Sequence, residues 1–358
     1  KGGVAALRFR PPEYFDEHRI TRIQGSATAI DRERRELVLA SGERLAYEHL
    51  VLATGARNRV PAVAGIELGG VFGLRNLADA DGLSQRLGSA KRAVVIGAGF
   101  IGLEFAAVAA ARGIAVDVLE LGTRPMARAL SAVTSQVFDH AHARWGVRIH
   151  YGQSLAAIHG DGGQVRSVEL ASGEVLPADL VVYGIGVLPN AELAAQAQLT
   201  VNNGIVVDAH LLTSDPAISA IGDVVSFPSP WSPQAIRLES VQNAVDQAKA
   251  VAARLMGKPA GYAALPWFWT DQGELKLQIA GLADGHDETV VLGSVEQHQI
   301  SVLCFRAGRL VAVESCNRPA DHMAARKLIA RNTPLSPAEA AAPGFDLKAF
   351  EVSTRETA

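Results

Sequence analysis

VVIGAGFIGLEFAA, at residues 94–107, is the stretch that decides the fold. It begins in a short apolar run, residues 93–96, which is typical of a buried strand and stops at glycine. Gly97 permits a sharp turn, Gly99 lets backbone amides approach a pyrophosphate, and Gly102 lets the following helix pack closely on the strand. The N-terminus of that helix adds positive potential. The pattern therefore predicts a dinucleotide-binding turn.

The residues after the turn indicate which dinucleotide binds. A helix is predicted over 103–112, and the next apolar strand, 115–120, ends on Glu120. A carboxylate at this place can accept hydrogen bonds from the adenosine ribose and would repel a 2′-phosphate, which favours NADH over NADPH. Arg124 weakens this preference unless it is only a solvated loop residue. We expect NADH.

Glu104 lies two residues after the last glycine, in the first turn of the predicted helix. The helix dipole favours an anion there, which is a sufficient structural reason for a carboxylate. A functional reason would be that the carboxylate faces the nicotinamide. The sequence favours neither explanation.

An internal repeat surrounds the turn. LASGERLAYEHLVLATG (39–55) and LASGEVLPADLVVYGIG (170–186) align without gaps, and each predicts a hairpin followed by an apolar strand that stops at glycine. The same offset, applied to Gly97, falls before residue 1. We therefore expect a second dinucleotide-binding domain whose N-terminal βαβ unit is missing from this sequence.

Composition limits the remaining possibilities. The 358 residues are 48% hydrophobic with a net charge of −3, so the chain can form two or three domains and lacks the charge blocks of a nucleic-acid or membrane-surface protein. The two cysteines, Cys304 and Cys316, have neither redox-pair nor metal-site spacing. No apolar stretch approaches the roughly 20 residues of a membrane span. We expect a cytoplasmic protein without a metal.

Two further strand ends suit a nucleotide. Thr54-Gly55 ends the strand of the first repeat copy, and Gly222-Asp223 ends an apolar run that begins at Ile218. Asp is common in such places because it makes turns. An acidic acceptor at a strand's carboxyl end is also where a ribityl or ribose hydroxyl binds in a doubly wound sheet. Both explanations remain open.

The last third of the chain predicts a different architecture. A helix is predicted over 237–256, and PWFWTD (266–271) is unusual in a chain that is only 6% aromatic. Its rings are expected to pack in the core or to lie against a planar cofactor. Further along, the pattern predicts three strands and a helix: 276–280, 288–293, 302–305 and 321–330.

These motifs carry a resemblance. The matching stretches are LVLATGAR (50–57), the glycine turn at 94–107, RLESVQNAVDQA (237–248) and PWFWTDQGELKLQIAGL (266–282). With them the chain resembles the NADH-dependent ferredoxin reductases of bacterial oxygenase systems. The resemblance implies an α/β protein with two Rossmann-like FAD/NAD(P)-binding domains, as in glutathione reductase, plus a C-terminal α+β domain. The implied domains are a discontinuous FAD-binding domain (1–78 and 205–264), an NADH-binding domain (79–204) and the C-terminal domain (265–358).

The resemblance also implies the residues of the site. FAD contacts are expected at Ala27, Thr54, Gly55, Arg75, Asp223 and Val241, with Trp269 beside the cofactor. NADH contacts are expected at Gly97, Gly99, Ile101, Gly102 and Glu104, with Glu120 on the ribose. No catalytic side chain is predicted, because the chemistry belongs to the cofactors.

The implied activity is electron transfer from NADH through FAD to a two-iron ferredoxin, which serves a haem monooxygenase or a Rieske dioxygenase. We expect a monomer or a weak homodimer. Six basic residues could form a docking surface for an acidic ferredoxin or could simply be solvated: Arg306, Arg309, Arg318, Arg326, Lys327 and Arg331.

Two other functions remain open. An NADH oxidase or peroxidase of the same architecture commonly relies on a reactive cysteine near the flavin, and no cysteine lies in the first 303 residues. A redox-sensing flavoprotein similar to apoptosis-inducing factors would change its assembly on binding NADH instead of turning over.

Overall fold

The computed structural model describes residues 8–258 and 260–355. The outermost residues of the predicted domain ranges, 1–7 and 356–358, lie outside this part. The first half contains α1 (Pro12–Glu17), β1 (Ala27–Asp31), β2 (Glu36–Leu39), β3 (Arg44–Ala46), β4 (Leu50–Leu52) and β5 (Ala56–Asn58). Strands β1, β2 and β3 form an antiparallel sheet in that order, and the first repeat copy begins at the last residue of β2. The next strand, β4, pairs in parallel with residues 218–220.

The second half contains the glycine turn and the second repeat copy. Its elements are β6 (Val71–Gly73), α2 (Leu77–Leu87), β7 (Arg92–Ile96), α3 (Phe100–Ala110), β8 (Ala115–Glu120), α4 (Ala132–Arg144), β9 (Val147–Tyr151), β10 (Leu155–Asp161), β11 (Gln164–Leu170), β12 (Val175–Pro177), β13 (Leu180–Tyr183) and β14 (Val187–Pro189). A parallel sheet runs in the order β6-β13-β7-β8-β9, as a dinucleotide-binding domain requires.

The two repeat copies fold alike. The strands β10, β11 and β12 form an antiparallel sheet like that of β1 to β3, and β13 follows it as β4 follows the first. The strands after each copy, β5 and β14, pair with each other in antiparallel fashion. This ladder joins the two halves directly beside the ends of β4 and β13.

One predicted boundary differs from the sheet. Residues up to 78 were assigned to the FAD-binding segment, but β6 pairs in parallel with β13 in the sheet that carries the glycine turn. The boundary defined by strand pairing therefore falls before Val71. The sequence signal was weak because β6 has three residues.

After β14 the chain returns to the first half. The elements are α5 (Glu192–Gln196), β15 (Ile205–Val206), β16 (Ile218–Ala220), a short 3₁₀ helix (Gly222–Val224), β17 (Val225–Ser226) and α6 (Val241–Leu255). The helix predicted from residue 237 begins at Val241, because the Ser240 side chain accepts a hydrogen bond from the Asn243 amide and caps it.

The C-terminal part is a five-stranded antiparallel sheet with helices. The elements are β18 (Trp267–Gln272), β19 (Leu275–Gly281), β20 (Glu288–Ser294), β21 (Gln299–Arg306), β22 (Arg309–Cys316), α7 (Pro319–Ala330), α8 (Pro337–Ala340) and α9 (Leu347–Ser353). The strand order is β18-β19-β22-β21-β20. Two of these strands, β18 and β22, were not predicted.

One hydrophobic core connects this sheet to the domain that contains the glycine turn, β6 to β14, which we call the NADH-side domain. Val137, Phe138 and Ala141 of α4 are buried in the same cluster as Leu275 and Leu277 of β19. Burial of such side chains stabilises each by about 1.5–3 kcal/mol relative to exposure. The C-terminal sheet is therefore fixed against the helices that follow the glycine turn, and β18 lies beside α3.

Candidate functional site

The glycine turn has the geometry that its sequence predicts. Gly97 has φ +99°, and a Cβ atom on it would lie 2.7 Å from the carbonyl oxygen of Gly184. A Cβ on Gly102 would lie 2.2 Å from the carbonyl oxygen of Gly97, so a side chain is excluded at both places. Gly99 is the N-cap of α3, which begins at Phe100, three residues earlier than predicted. The exposed Ile101 is in the first turn of the helix.

Glu120 organises this turn from the end of β8. One carboxylate oxygen accepts a hydrogen bond from the Ala98 amide at 2.8 Å, and the other accepts one from the Gly122 amide at 2.7 Å. Each carboxylate oxygen has a further lone pair. The residues thus fit an adenosine ribose, and the carboxylate is oriented before a ligand binds.

Arg124 is committed to the protein itself. One of its terminal nitrogens donates to the carbonyl oxygen of Leu130 at 2.8 Å, and the other donates to that of Ala127 at 3.0 Å. The Ser135 hydroxyl accepts a third hydrogen bond. This geometry favours a structural role for Arg124 over recognition of a 2′-phosphate, whereas the sequence had left open a 2′-phosphate contact or a solvated loop residue.

Glu104 faces the C-terminal domain. Its carboxylate accepts a hydrogen bond from the Thr270 hydroxyl of β18. Burial raises the pKa of the Glu104 carboxyl, while the hydrogen bond from Thr270 opposes this rise. The helix dipole alone would not require this contact. Thr270 was missed at the sequence level, because a contact between residues so far apart in the chain leaves no local pattern.

A second group lies where β4 and β16 end. The Arg75 guanidinium donates to Asp223 at 2.7 Å and to the carbonyl oxygen of Ala56 at 2.9 Å. Gly55 has φ +64°, and a Cβ placed on it would lie 3.8 Å from the Arg75 guanidinium. Gln247 of α6 accepts the amide hydrogen of Gly222 at 2.7 Å and so holds the turn that presents Asp223.

Thr54 is held by a residue that sequence reasoning missed. Its hydroxyl donates to the carbonyl oxygen of Asn190 at 2.7 Å, and the Asn190 side chain donates to the carbonyl oxygen of Thr54 at 2.9 Å. Asn190 directly follows β14, which pairs with β5. Because these two strands follow the two repeat copies, the repeat was the sequence signal that could have placed Asn190 near Thr54. Val241 is the exposed first residue of α6, and Ala27 is the exposed first residue of β1.

The aromatic segment forms β18 and packs against α7. The rings of Trp267 and Trp269 are 5.5 Å apart, and the Arg326 guanidinium lies 4.6 Å from the centre of the Trp267 ring. His322 of α7 also contacts Trp267. Trp269 remains 39% exposed, so one ring is available to a ligand while its neighbour is packed.

The basic residues near α7 are largely paired within the chain. Arg318 bonds to Asp321 at 2.7 Å, and Arg331 bonds to Glu351 at 3.0 Å. Lys327 lies 4.0 Å from the same Glu351 carboxylate. These pairs reduce the net positive charge that the surface presents, so the docking hypothesis loses part of its support.

The two cysteines are buried, and burial raises the pKa of both thiols. A raised pKa disfavours the thiolate, which is the reactive form. Neither cysteine suits the reactive role that an oxidase or peroxidase of this architecture commonly needs.

Within residues 8–258 and 260–355, every helix is too short or too polar to cross a membrane.

These features define an oxidoreductase with two dinucleotide-binding sites. The chain belongs to the pyridine nucleotide-disulphide oxidoreductase family, whose model matches residues 6–248, and it carries a reductase C-terminal domain at residues 267–351. Members of this family use FAD and NAD(H), and the chain is a flavoprotein oxidoreductase of this kind. The predicted fold class and the predicted family are confirmed.

Three similar proteins represent this family. Rhodocoxin reductase of Rhodococcus erythropolis is 50% identical over 344 residues, covering 96% of this chain and 81% of the relative. A ferredoxin reductase for the CYP199A2 system of Rhodopseudomonas palustris has a TM-score of 0.94 at 49% identity, covering 96% of this chain and 85% of that structure. The covalent putidaredoxin reductase–putidaredoxin complex has a TM-score of 0.96 at 36% identity, covering 100% of this chain and 87% of that one.

Proposed function

We propose that this protein is an NADH-dependent ferredoxin reductase that passes electrons through FAD to a two-iron ferredoxin serving an oxygenase. The observation that carries the proposal is the position of β18. Thr270 of this strand contacts Glu104 of the glycine-turn helix. The residue before Thr270 is Trp269, which is partly exposed. The dinucleotide domain and an exposed aromatic ring thus lie on either side of one strand. The names of the relatives support the acceptor.

In this proposal the glycine turn holds the pyrophosphate of NADH on the N-terminus of α3. Glu120 accepts the ribose hydroxyls and repels a 2′-phosphate. Because both terminal nitrogens of Arg124 donate to groups of the protein itself, Arg124 does not compensate that repulsion. The chain therefore selects NADH.

Arg75, Asp223, Thr54 and Gly55 would hold FAD, with Ala27 and Val241 at its edges and Trp269 beside the ring. When bound, FAD supplies the change from two-electron to one-electron transfer that a ferredoxin requires. The ion pair between Arg75 and Asp223 fixes both side chains at the strand ends. The protein orients the cofactors and excludes water, and we assign no side chain to proton transfer.

The acceptor docks in this proposal beside Trp269, on the face where Arg326 covers Trp267. The protein acts as a monomer or a weak homodimer.

NADH oxidation by the FAD-loaded full-length protein, with and without a two-iron ferredoxin, tests the proposal. We expect a large increase in rate with ferredoxin, a small rate with oxygen alone, and slower oxidation of NADPH. A rate that ferredoxin leaves unchanged would contradict the proposal and would favour the oxidase.

A further inference from the structure

The two faces of β18 contact different parts of the molecule. Phe268, Thr270 and Gln272 contact the NADH-side domain, whereas Trp267 and Trp269 lie toward α7 and the exposed surface. This follows from the alternation of side chains along a strand. The polar residues of the first face are buried, Thr270 being 1% and Gln272 0% exposed. Buried polar groups of this kind need defined hydrogen-bond partners.

These partners form a continuous chain. Nε2 of His142, in α4, lies 2.8 Å from Oε1 of Gln272. Nε2 of Gln272 donates to the Thr270 hydroxyl oxygen at 3.3 Å and also faces the Met126 sulfur at 3.7 Å. The Thr270 hydroxyl in turn donates to Glu104. The chain thus runs from one helix of the NADH-side domain, through the C-terminal sheet, to the helix of the glycine turn.

The amide of Gln272, as the structure orients it, determines the direction of each hydrogen bond in this chain. An amide nitrogen can only donate, so the Thr270 oxygen accepts from Gln272 and its single hydrogen is left for Glu104. The amide oxygen of Gln272 can only accept, so His142 carries its proton on Nε2. His142 is fully buried, and its Nδ1 has no hydrogen-bond partner among the residues that the structure describes. Burial lowers the pKa of His142, which favours the neutral ring.

We propose that Thr270, Gln272 and His142 are positioning residues, which hold the Glu104 carboxylate as a hydrogen-bond acceptor beside the nicotinamide of NADH. The inference rests on the proposed function, because it requires NADH to lie over the glycine turn. Its new content is that a histidine in another helix determines how the carboxylate is presented. Such chains polarise each member toward the terminal acceptor.

The charges around Glu104 determine the sign of its pH dependence. Burial raises the pKa of this carboxyl, the Thr270 hydroxyl and the Asp271 amide lower it, and the Asp271 carboxylate on the same strand raises it. Removal of the hydroxyl must therefore raise the pKa further. Glu104 would then be protonated up to a higher pH.

The test compares Thr270→Val with Thr270→Ser in the FAD-loaded full-length protein. The dissociation constant of NAD⁺ and the rate of flavin reduction by NADH are measured against pH, and Thr289→Val, on the C-terminal sheet, is the control. We expect the acidic limb of both profiles to move upward by about 1–2 pH units in Thr270→Val, equivalent to roughly 1.4–2.7 kcal/mol, because a hydrogen bond to a charged group is lost. Thr270→Ser and the control should match the parent protein.

Superimposed profiles for Thr270→Val and the parent would overturn the inference while leaving the proposed function intact. If NADH does not reduce the flavin of the parent protein, that result would instead overturn the proposed function.

A second measurement is independent of turnover. Nitrogen-15 NMR of the His142 ring in the FAD-loaded protein should show the neutral form with its proton on Nε2 from about pH 6 to 8, around the ordinary histidine pKa. A neutral ring with its proton on Nδ1 would make Nε2 an acceptor, which reverses the hydrogen bond to Gln272 and would contradict the inference. This result does not depend on whether a Thr270 variant folds.

Discussion

Glu120 and Arg124 lie four residues apart and have opposite relations to the site. One carboxylate oxygen of Glu120 accepts the Ala98 amide of the glycine turn and the other accepts the Gly122 amide after β8, so this side chain shapes the site that it also lines. The guanidinium of Arg124 points to the carbonyl oxygens of Ala127 and Leu130 and so ties down the segment that precedes α4. Charge alone would predict that both residues contact the cofactor. Their hydrogen bonds indicate that Glu120 lines the site, whereas Arg124 stabilises the protein.

Arg124→Ala should therefore destabilise the protein without changing its cofactor preference. Losing several hydrogen bonds from a half-buried side chain should lower the free energy of unfolding by about 1–3 kcal/mol. The measurement is chemical unfolding together with kcat/KM for NADH and NADPH. Arg112→Ala is the matched control, because Arg112 is exposed and donates to a single carbonyl, that of Val108. A changed ratio of the two kcat/KM values in Arg124→Ala would show that Arg124 does recognise the cofactor.

For single residues, the sequence predicts which residues lie in the site better than it predicts their hydrogen-bond partners. The glycine spacing indicated Gly97 and Gly102 because each excludes a side chain within a local turn. Thr270 and Asn190 could not be found in this way, since each acts on a residue more than a hundred positions away. The roles of the cofactor contacts therefore stay predictions.

The elements around the site show the same division between local and distant information. The strands β8 and β13 have the predicted limits, because apolar runs bounded by glycine or a charged residue are local signals. In contrast, the segment of β18 was predicted only to pack its rings in the core or against a planar cofactor, although its alternate residues face a helix and a surface. Nothing in the aromatic composition distinguished these two faces.

Among the contacts between elements at the site, the packing of α3 on β7 tolerates an added side chain least. Gly102→Ala would place a methyl group 2.2 Å from the carbonyl oxygen of Gly97. Since the obstructing atom belongs to the backbone, the helix must shift away from the strand. We expect a loss of about 1–3 kcal/mol in the free energy of unfolding and at least about tenfold weaker binding of NAD⁺, equivalent to 1.4 kcal/mol.

The control for this prediction is Gly88→Ala at the end of α2. A Cβ there meets its nearest atom, the Gln85 carbonyl oxygen, at 3.7 Å, and the backbone is helical. Calorimetric titration with NAD⁺ and thermal unfolding should therefore match the parent protein for Gly88→Ala. Parent-like NAD⁺ binding by Gly102→Ala would show that the turn tolerates a side chain and does not approach the pyrophosphate closely.

At the scale of the whole molecule, three packed units form the structure around the site. The repeat produces two similar halves joined by the ladder between β5 and β14, and the C-terminal sheet shares its core with α4. This arrangement brings α3, with its glycine turn, against β18. Repeats and the order of elements made the two-domain fold predictable, whereas the place where the third unit docks depends on side-chain packing between distant segments.

The most direct test of the account is a single-turnover experiment that follows both electron carriers. FAD-loaded full-length protein and a two-iron ferredoxin are mixed with NADH without oxygen, and the absorbance of the flavin and of the cluster is recorded. We expect the flavin to bleach first and the ferredoxin to become reduced afterwards, with about two clusters reduced per NADH, because the cofactor divides a hydride into single electrons. A flavin that bleaches while the ferredoxin stays oxidised would contradict the account.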